Sequence, residues 1–255
     1  MRVVYIFALF FLLCEVGFGQ GNKQGPMAIV FIGNSITQGK GGPNGAPPPS
    51  HTVDYLLKKR TIKELPYINV GRSGSTTVDW LPTTGRYYAL AIKAADSLWS
   101  LQGGGNSLLF SIKLGTNDSA IKGPNGAPVE VESYKANLKQ IIDALLAAYP
   151  GSRVMVHHPI WYSPNTYNSA QYLAEGLARL NRYILQIDAL VADYSRSSPG
   201  KVFLGDTKAY LYFKKHPQYY KPELGQQGTF YLHPNEQGVK ILGKYWAKAI
   251  AKAFL

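Results

Sequence analysis

The chain has 255 residues, of which 45% are hydrophobic and 16% charged. That length supports one sizeable core, and that balance excludes an intrinsically disordered chain. Lys and Arg number 27 against 15 Asp and Glu, giving a formal charge of +12. Such an excess could favour nucleic acid, an anionic surface or an acidic polysaccharide, but no dense basic run accompanies it, and a solvated basic surface is the favoured reading.

In chain order, Met1-Arg2 precedes an apolar run from Val3 to Leu13 that is too short to span a bilayer comfortably. Gly17-Phe18-Gly19 then places small residues where a signal peptidase reads. Residues 1–19 are therefore expected to be a signal peptide cleaved near Gly19–Gln20, residues 20–27 a linker, and residues 28–255 one domain. The expected location is secreted or periplasmic. Cys14 is the only cysteine, so cleavage leaves no disulfide and no thiol nucleophile. No later stretch is long and apolar enough to cross a membrane.

The apolar run Ala28–Ile32 ends in Gly33, as expected of a buried parallel strand. Similar runs occur at Tyr67–Val70, Leu108–Lys113, Arg153–His157 and Lys201–Leu204. Helical spacing separates them: Tyr134, Leu138, Ile141, Leu145 and Tyr149, then Leu173, Leu177, Leu180, Ile184 and Ile187. A last helix carries Leu242, Tyr245, Trp246 and Ile250 on one face. Strands alternating with helices predict an α/β fold with one parallel sheet covered on both faces. The ligand site of such a fold lies beyond the carboxyl ends of its strands.

Four short segments sit at those ends. Phe31-Ile-Gly-Asn-Ser-Ile-Thr37 follows the first strand and Asn69-Val-Gly-Arg-Ser-Gly-Ser-Thr76 the second. Gly115-Thr-Asn-Asp118 follows the third, and Leu232-His-Pro-Asn-Glu236 precedes the final helix. Each taken singly is turn or helix-cap chemistry. A Gly-Pro-Asn-Gly-Ala-Pro hexapeptide also occurs twice, at Gly42–Pro47 and Gly123–Pro128. It is turn chemistry near the strand ends, open between chance usage and lining a substrate.

Together and in this order, the four segments resemble the sequence blocks of the SGNH (GDSL-like) hydrolases over about residues 28–250. The resemblance implies a three-layer, flavodoxin-like α/β/α sandwich around a five-stranded parallel sheet. By position, Ser35 matches the nucleophile and His233 the general base. Ser35 and Gly74 match the backbone donors of the oxyanion hole, and Asn117 its side-chain donor. The chemistry agrees: a serine hydroxyl needs a neighbouring base, and a tetrahedral intermediate needs fixed donors on its oxygen.

The sequence departs from the family at one position. The usual aspartate lies three residues before the histidine, where this chain has Phe230. His233 is therefore expected to act in a Ser–His dyad oriented by a backbone carbonyl or by a displaced acid. Asp206 and Glu236 are the nearby candidates, each also readable as turn or helix-start chemistry. His157-His158-Pro159 borders the expected site, but no further His or Cys shows ligand spacing, so no metal is expected. Trp161, Tyr162 and Tyr167 form an aromatic loop beside it, open between sugar stacking and core packing.

The expected function is hydrolysis of short-chain carboxylic esters without a cofactor. Likeness to secreted bacterial acetylesterases of the family points to O-acetyl groups on carbohydrate. A lysophospholipase or lipase and a catalytically silent carbohydrate-binding protein are the alternatives. The expected partner is a small-molecule or glycan ester, with no nucleic acid and no membrane after signal cleavage.

Overall fold

The computed structural model describes residues 27–41, 46–59, 62–100 and 107–255. The expected signal peptide, its cleavage point, Cys14 and residues 20–26 of the linker lie outside the described residues, as do positions 42–45 of the first hexapeptide. No described helix is long and apolar enough to cross a membrane.

Five strands form one all-parallel sheet: β1 (Met27–Gly33), β2 (Tyr67–Asn69), β3 (Ser107–Lys113), β4 (Arg153–Val156) and β5 (Val202–Leu204). Their order is β2-β1-β3-β4-β5, the flavodoxin-like order the resemblance implies. Each predicted run lies within a residue or so of its observed strand; for β1, β3 and β4 the reason is burial on both faces, which demands apolar residues throughout.

Alternation along the strands splits the core in two. Ala28, Val30 and Ile32 of β1, with Leu108, Phe110 and Ile112 of β3, face the layer of α3 (Tyr88–Ser100), α4 (Val131–Ala148) and α5 (Leu173–Ser197). Ile29, Phe31 and Leu109 face α2 (Pro48–Leu57), α6 (Ala209–Lys215) and α7 (Glu236–Phe254). The α7 stripe of Leu242, Trp246 and Ile250 is fully buried there, and the Trp246 ring lies between Phe31 and His157. On α5 the buried stripe runs through Leu180, Tyr183, Ile187 and Leu190, while Ile184 of the predicted face is only half-buried.

The chain leaves β1 for β2 on one side, then crosses back to β3 on the other. The connections after β1 and β3 thus diverge, opening a crevice at the carboxyl ends of the two central strands. The four-residue helix α1 (Ser35–Gln38) starts there. The sequence reading named neither α2, α3 and α6 nor an antiparallel hairpin of β6 (Tyr220–Gly225) and β7 (Gly228–Pro234), separate from the main sheet.

Candidate active site

Ser35 is the first residue of α1, immediately beyond β1. Asn34 caps the helix, its Oδ1 accepting from the Ile36 N–H at 3.1 Å. Gly33 has no alternative residue, since a Cβ there would lie 2.1 Å from Thr37 Oγ1 and 2.8 Å from the Lys113 carbonyl. Bare backbone at Gly33 therefore lets the chain turn tightly enough to raise Ser35 to the edge of the crevice.

His233 reaches Ser35 from β7. Its Nε2 lies 2.9 Å from Ser35 Oγ, and both side chains are largely buried. Its Nδ1 lies 2.8 Å from Glu223 Oε1 on β6. The same oxygen accepts the His233 backbone N–H at 3.3 Å. This arrangement selects one tautomer: Nδ1–H donates to Glu223, leaving Nε2 to accept from the serine hydroxyl. Burial alone would raise the Glu223 pKa, but the hydrogen bonds and charge of His233, helped by Lys40, outweigh it and hold the carboxyl below its ordinary value.

The group on His233 Nδ1 is thus a carboxylate, not a backbone carbonyl, and it is neither of the two acids expected. Asp206 holds the start of α6, its Oδ1 accepting from Lys208 N at 2.9 Å and Ala209 N at 3.2 Å. Glu236 sits exposed in the first turn of α7 and pairs with Lys240 at 2.8 Å. Glu223 stands opposite Phe230 in the hairpin register, so the acid arrives from across the strand pair at the very position where the family's aspartate is missing. Glu223 lies ten residues before His233, closer in sequence than Asp206, but no strand pattern marks the segment that carries it. The one local signal is Gly-Gln-Gln-Gly228, a turn motif that by itself leaves the segment before it readable as loop.

The segments that carry the expected oxyanion donors are tied to one another and to the start of α1. Gly74 has φ +77°, a left-handed conformation, and a Cβ built on it meets nothing within 4 Å, so open space adjoins its Cα. Its loop is fixed to the start of α1 by Ser75 Oγ donating to the Gly33 carbonyl at 3.1 Å and Ser73 N donating to Gln38 Oε1 at 2.9 Å. Asn117 Nδ2 donates one hydrogen to the Ser75 carbonyl at 2.9 Å, which turns its second hydrogen away from that loop. Its Oδ1 accepts from the Tyr172 hydroxyl at 2.8 Å. Tyr172 escaped the sequence reading. Its only local mark is structural: Leu173, next in the chain, has φ +54°, a strained value for a residue with a Cβ.

Asp118 ties the second and third segments together. Its Oδ1 accepts from the Thr77 N–H at 2.7 Å and the Thr77 hydroxyl at 2.5 Å, and its Oδ2 from Gly115 N at 3.1 Å. Burial pushes its pKa up to about 6 against the pull of those donors. The second hexapeptide buttresses the same loop: Thr76 Oγ1 donates to the Asn125 carbonyl at 2.6 Å, and Asn125 Nδ2 donates to Asp79 at 2.8 Å.

The remaining residues singled out above lie elsewhere. His157 is buried between Ser111 Oγ, at 2.9 Å from its Nε2, and the Asp206 N–H, at 2.9 Å from its Nδ1. Burial, then Lys113 and His158, press its pKa down to about 3, so it stays neutral. His158 pairs with Asp188 at 2.7 Å. Tyr162 is fully buried with its hydroxyl 2.9 Å from Ser119 Oγ, which makes it core and not a stacking surface. Trp161 and Tyr167 are half-buried. Among the described residues no cluster of His, Cys, Asp or Glu is arranged to hold a metal.

A Ser–His–carboxylate chain at the switch point of a parallel sheet is the constellation of a serine hydrolase. Residues 31–241 match the model of the GDSL-like lipase/acylhydrolase family, and the chain belongs to that family of ester hydrolases. A search of curated proteins finds no match. Solved structures share the fold. A GDSL-like lipase from Parabacteroides merdae aligns at 16% identity and TM-score 0.57, over 88% of this chain and 95% of its own. A lipase/acylhydrolase from Enterococcus faecalis aligns at 18% and 0.54, over 88% and 95%. An acetylxylan esterase from Geobacillus stearothermophilus aligns at 17% and 0.58, over 89% and 94%.

Proposed function

We propose that this protein hydrolyses short-chain carboxylic esters, namely O-acetyl groups on carbohydrate, with Ser35 as nucleophile. The observation that carries the reading is the unbroken chain from Ser35 Oγ through His233 to Glu223. Ser35 Oγ attacks the ester carbonyl carbon while its proton passes to His233 Nε2. The oxyanion forms against the N–H groups of Ser35 and Gly74 and the free hydrogen of Asn117 Nδ2. Glu223 keeps the imidazole in the acceptor tautomer and stabilises the imidazolium. His233 then returns the proton to the leaving alkoxide oxygen, freeing the alcohol and leaving an acyl-serine. Water, deprotonated by the same histidine, attacks that acyl group; the proton returns to Ser35 Oγ as the carboxylic acid leaves.

The acetyl and carbohydrate parts rest on different support. Among the structural neighbours one is an acetylxylan esterase, and the sequence has Gly/Pro-rich turns after its strands and no obvious long apolar segment to form an acyl groove. The silent carbohydrate-binding alternative was motivated by Phe230, and Glu223 removes that motive. Action outside the cytoplasm is part of the proposal, and N-terminal sequencing of exported protein should begin near Gln20. A start at Met1 would count against it. The test of function is a p-nitrophenyl ester series from acetate to decanoate. The reading expects acetate to be fastest and Ser35→Ala to abolish turnover; a rate rising steadily with chain length points instead to a lipase.

A further inference from the structure

The positive charge of this protein is unevenly placed. Residues 201–255 contain nine lysines, three carboxylates and no arginine, a net +6 that is half of the chain's +12. Asp206 is buried at the start of α6 and Glu223 is bound to His233. Glu236 is the one fully exposed acid of the segment, and it pairs with Lys240. The other lysines of this segment stand without a compensating exposed acid from within it.

Helix α7 orders four of them. Lys240, Lys244, Lys248 and Lys252 recur every fourth residue and are all exposed, which places successive ammonium groups about 6 Å apart along one edge of the helix. The opposite stripe, Leu242, Trp246 and Ile250, is fully buried and fixes the direction of that edge. The row begins two turns of chain from the reaction centre, since His233 lies just before the α7 N-cap, Asn235. Shallow grooves flank it on both sides. One of about 170 Å³ is lined by Tyr212, Ile241, Lys244, Tyr245 and Lys248. The other, of about 370 Å³, is bordered by His51, Asp54 and Tyr55 of α2, by Lys58 just beyond it, and by Lys240 and Lys244, so three lysines there face one carboxylate. The floor of the first is rigid: Tyr212 stacks on His216 at 4.2 Å and on Tyr219 at 5.8 Å, and leans on Tyr245 at 5.6 Å.

We propose that the lysine edge of α7, with its tyrosine-floored groove, binds an anionic polysaccharide and holds the acylated polymer against the active site. The binding surface stands on charge and shape alone; that the polymer carries the ester rests on the esterase reading. A row of single ammonium groups suits a polymer carrying about one carboxylate or sulfate per sugar, and half-buried tyrosine faces suit the apolar faces of sugar rings. Duplex nucleic acid fits less well, because its charges fall about every 1.7 Å and arginine, the residue best shaped for phosphate, is absent here. A membrane fits less well too, because Ile241 and Tyr245 are recessed in the groove, whereas interfacial binding needs apolar groups that insert.

The test is affinity electrophoresis of the whole protein at fixed low salt through gels containing polygalacturonate, a sulfated polysaccharide or neutral dextran. Lys244→Gln/Lys248→Gln is compared with Lys93→Gln/Arg182→Gln, a pair of exposed cations on other faces with the same change in charge. The proposal expects at least one of the two anionic polymers, and not dextran, to retard the wild type. It expects the α7 variant to bind that polymer at least fivefold more weakly and the control to bind it as the wild type does, with p-nitrophenyl acetate turnover unchanged in both. Which anionic polymer retards more strongly tells carboxylate from sulfate. No retardation by either, or equal loss in variant and control, overturns it. So does a larger loss toward phosphatidylglycerol vesicles or duplex DNA. Retardation that behaves as expected in a wild type without esterase activity refutes the esterase reading and leaves the surface standing.

Discussion

Asn117 is held from two sides, and that makes Tyr172 a positioning residue. The Ser75 carbonyl takes one hydrogen of its amide, and the Tyr172 hydroxyl fixes the amide oxygen and polarises the group. Asn117→Ala should lower kcat by about 10²–10³ with KM little changed, since an oxyanion donor acts in the transition state. Tyr172→Phe keeps the packing and loses only the hydroxyl. It should lower kcat by roughly tenfold, again without raising KM, in line with the loss of one neutral hydrogen bond of about 1 kcal/mol. Steady-state kinetics on p-nitrophenyl acetate checks both; a change confined to KM would make either residue a ground-state binder. Glu236→Gln, by contrast, touches only an exposed helix-start pair and should leave kcat within about twofold.

At the scale of elements, the β6–β7 hairpin carries both partners of the serine. Its placement depends on close contact with the loop before α5. A Cβ on Gly225 would lie 2.2 Å from the Tyr167 carbonyl, and Asn165 Nδ2 donates to the Gln227 and Thr229 carbonyls at 3.1 and 2.8 Å. Gly225→Val should therefore push the hairpin away from that loop, costing about 1–3 kcal/mol of stability and a larger share of kcat. Thermal unfolding with parallel kinetics measures this; full activity in a stable Gly225→Val protein would show that the contact does not set the site. The hairpin is also where the sequence was least legible. The five sheet strands announce themselves as short apolar runs, and the central three, β1, β3 and β4, are buried along nearly their whole length. Lys221-Pro-Glu-Leu224 is mostly polar, exposed and interrupted by a proline, so nothing in its pattern favours a strand over a loop. Ser35, Gly74, Asn117 and His233 were readable because each sits in a short segment at a strand or helix end. Glu223 owes its place to pairing across a turn, and Tyr172 to a tertiary contact 55 residues from its partner.

At the scale of the whole molecule, one buried charge leaves a pH signature. Lys113 ends β3, fully buried, and its Nζ has no hydrogen-bond partner among the described residues. Burial lowers its pKa to about 7, with Asp206 offsetting part of the effect. Folding thus favours the neutral amine. Below pH 7 the amine is charged in both the folded and unfolded states, and the whole penalty of burying it is present. Between about 7 and 10.5 only the unfolded chain holds the proton, so stability rises with pH, and above that range the penalty is gone. Lys113→Met should therefore raise Tm most at pH 6, by an amount equivalent to a few kcal/mol, and the gain should shrink steadily toward pH 10. A gain of equal size across that range would mean that the amine is not titrating in the fold.

The central claim is that Glu223, from the neighbouring strand, completes the machinery of Ser35 and His233. The most direct measurement is kcat for Glu223→Gln on p-nitrophenyl acetate, with Ser35→Ala as the floor and thermal unfolding as the control for folding. Glutamine keeps the shape but removes the charge, and it can present its amide N–H to the imidazole and select the wrong tautomer. The account predicts a fall of about 10³–10⁴ in kcat with Tm little changed. A correctly folded Glu223→Gln enzyme retaining more than a tenth of wild-type kcat would contradict it.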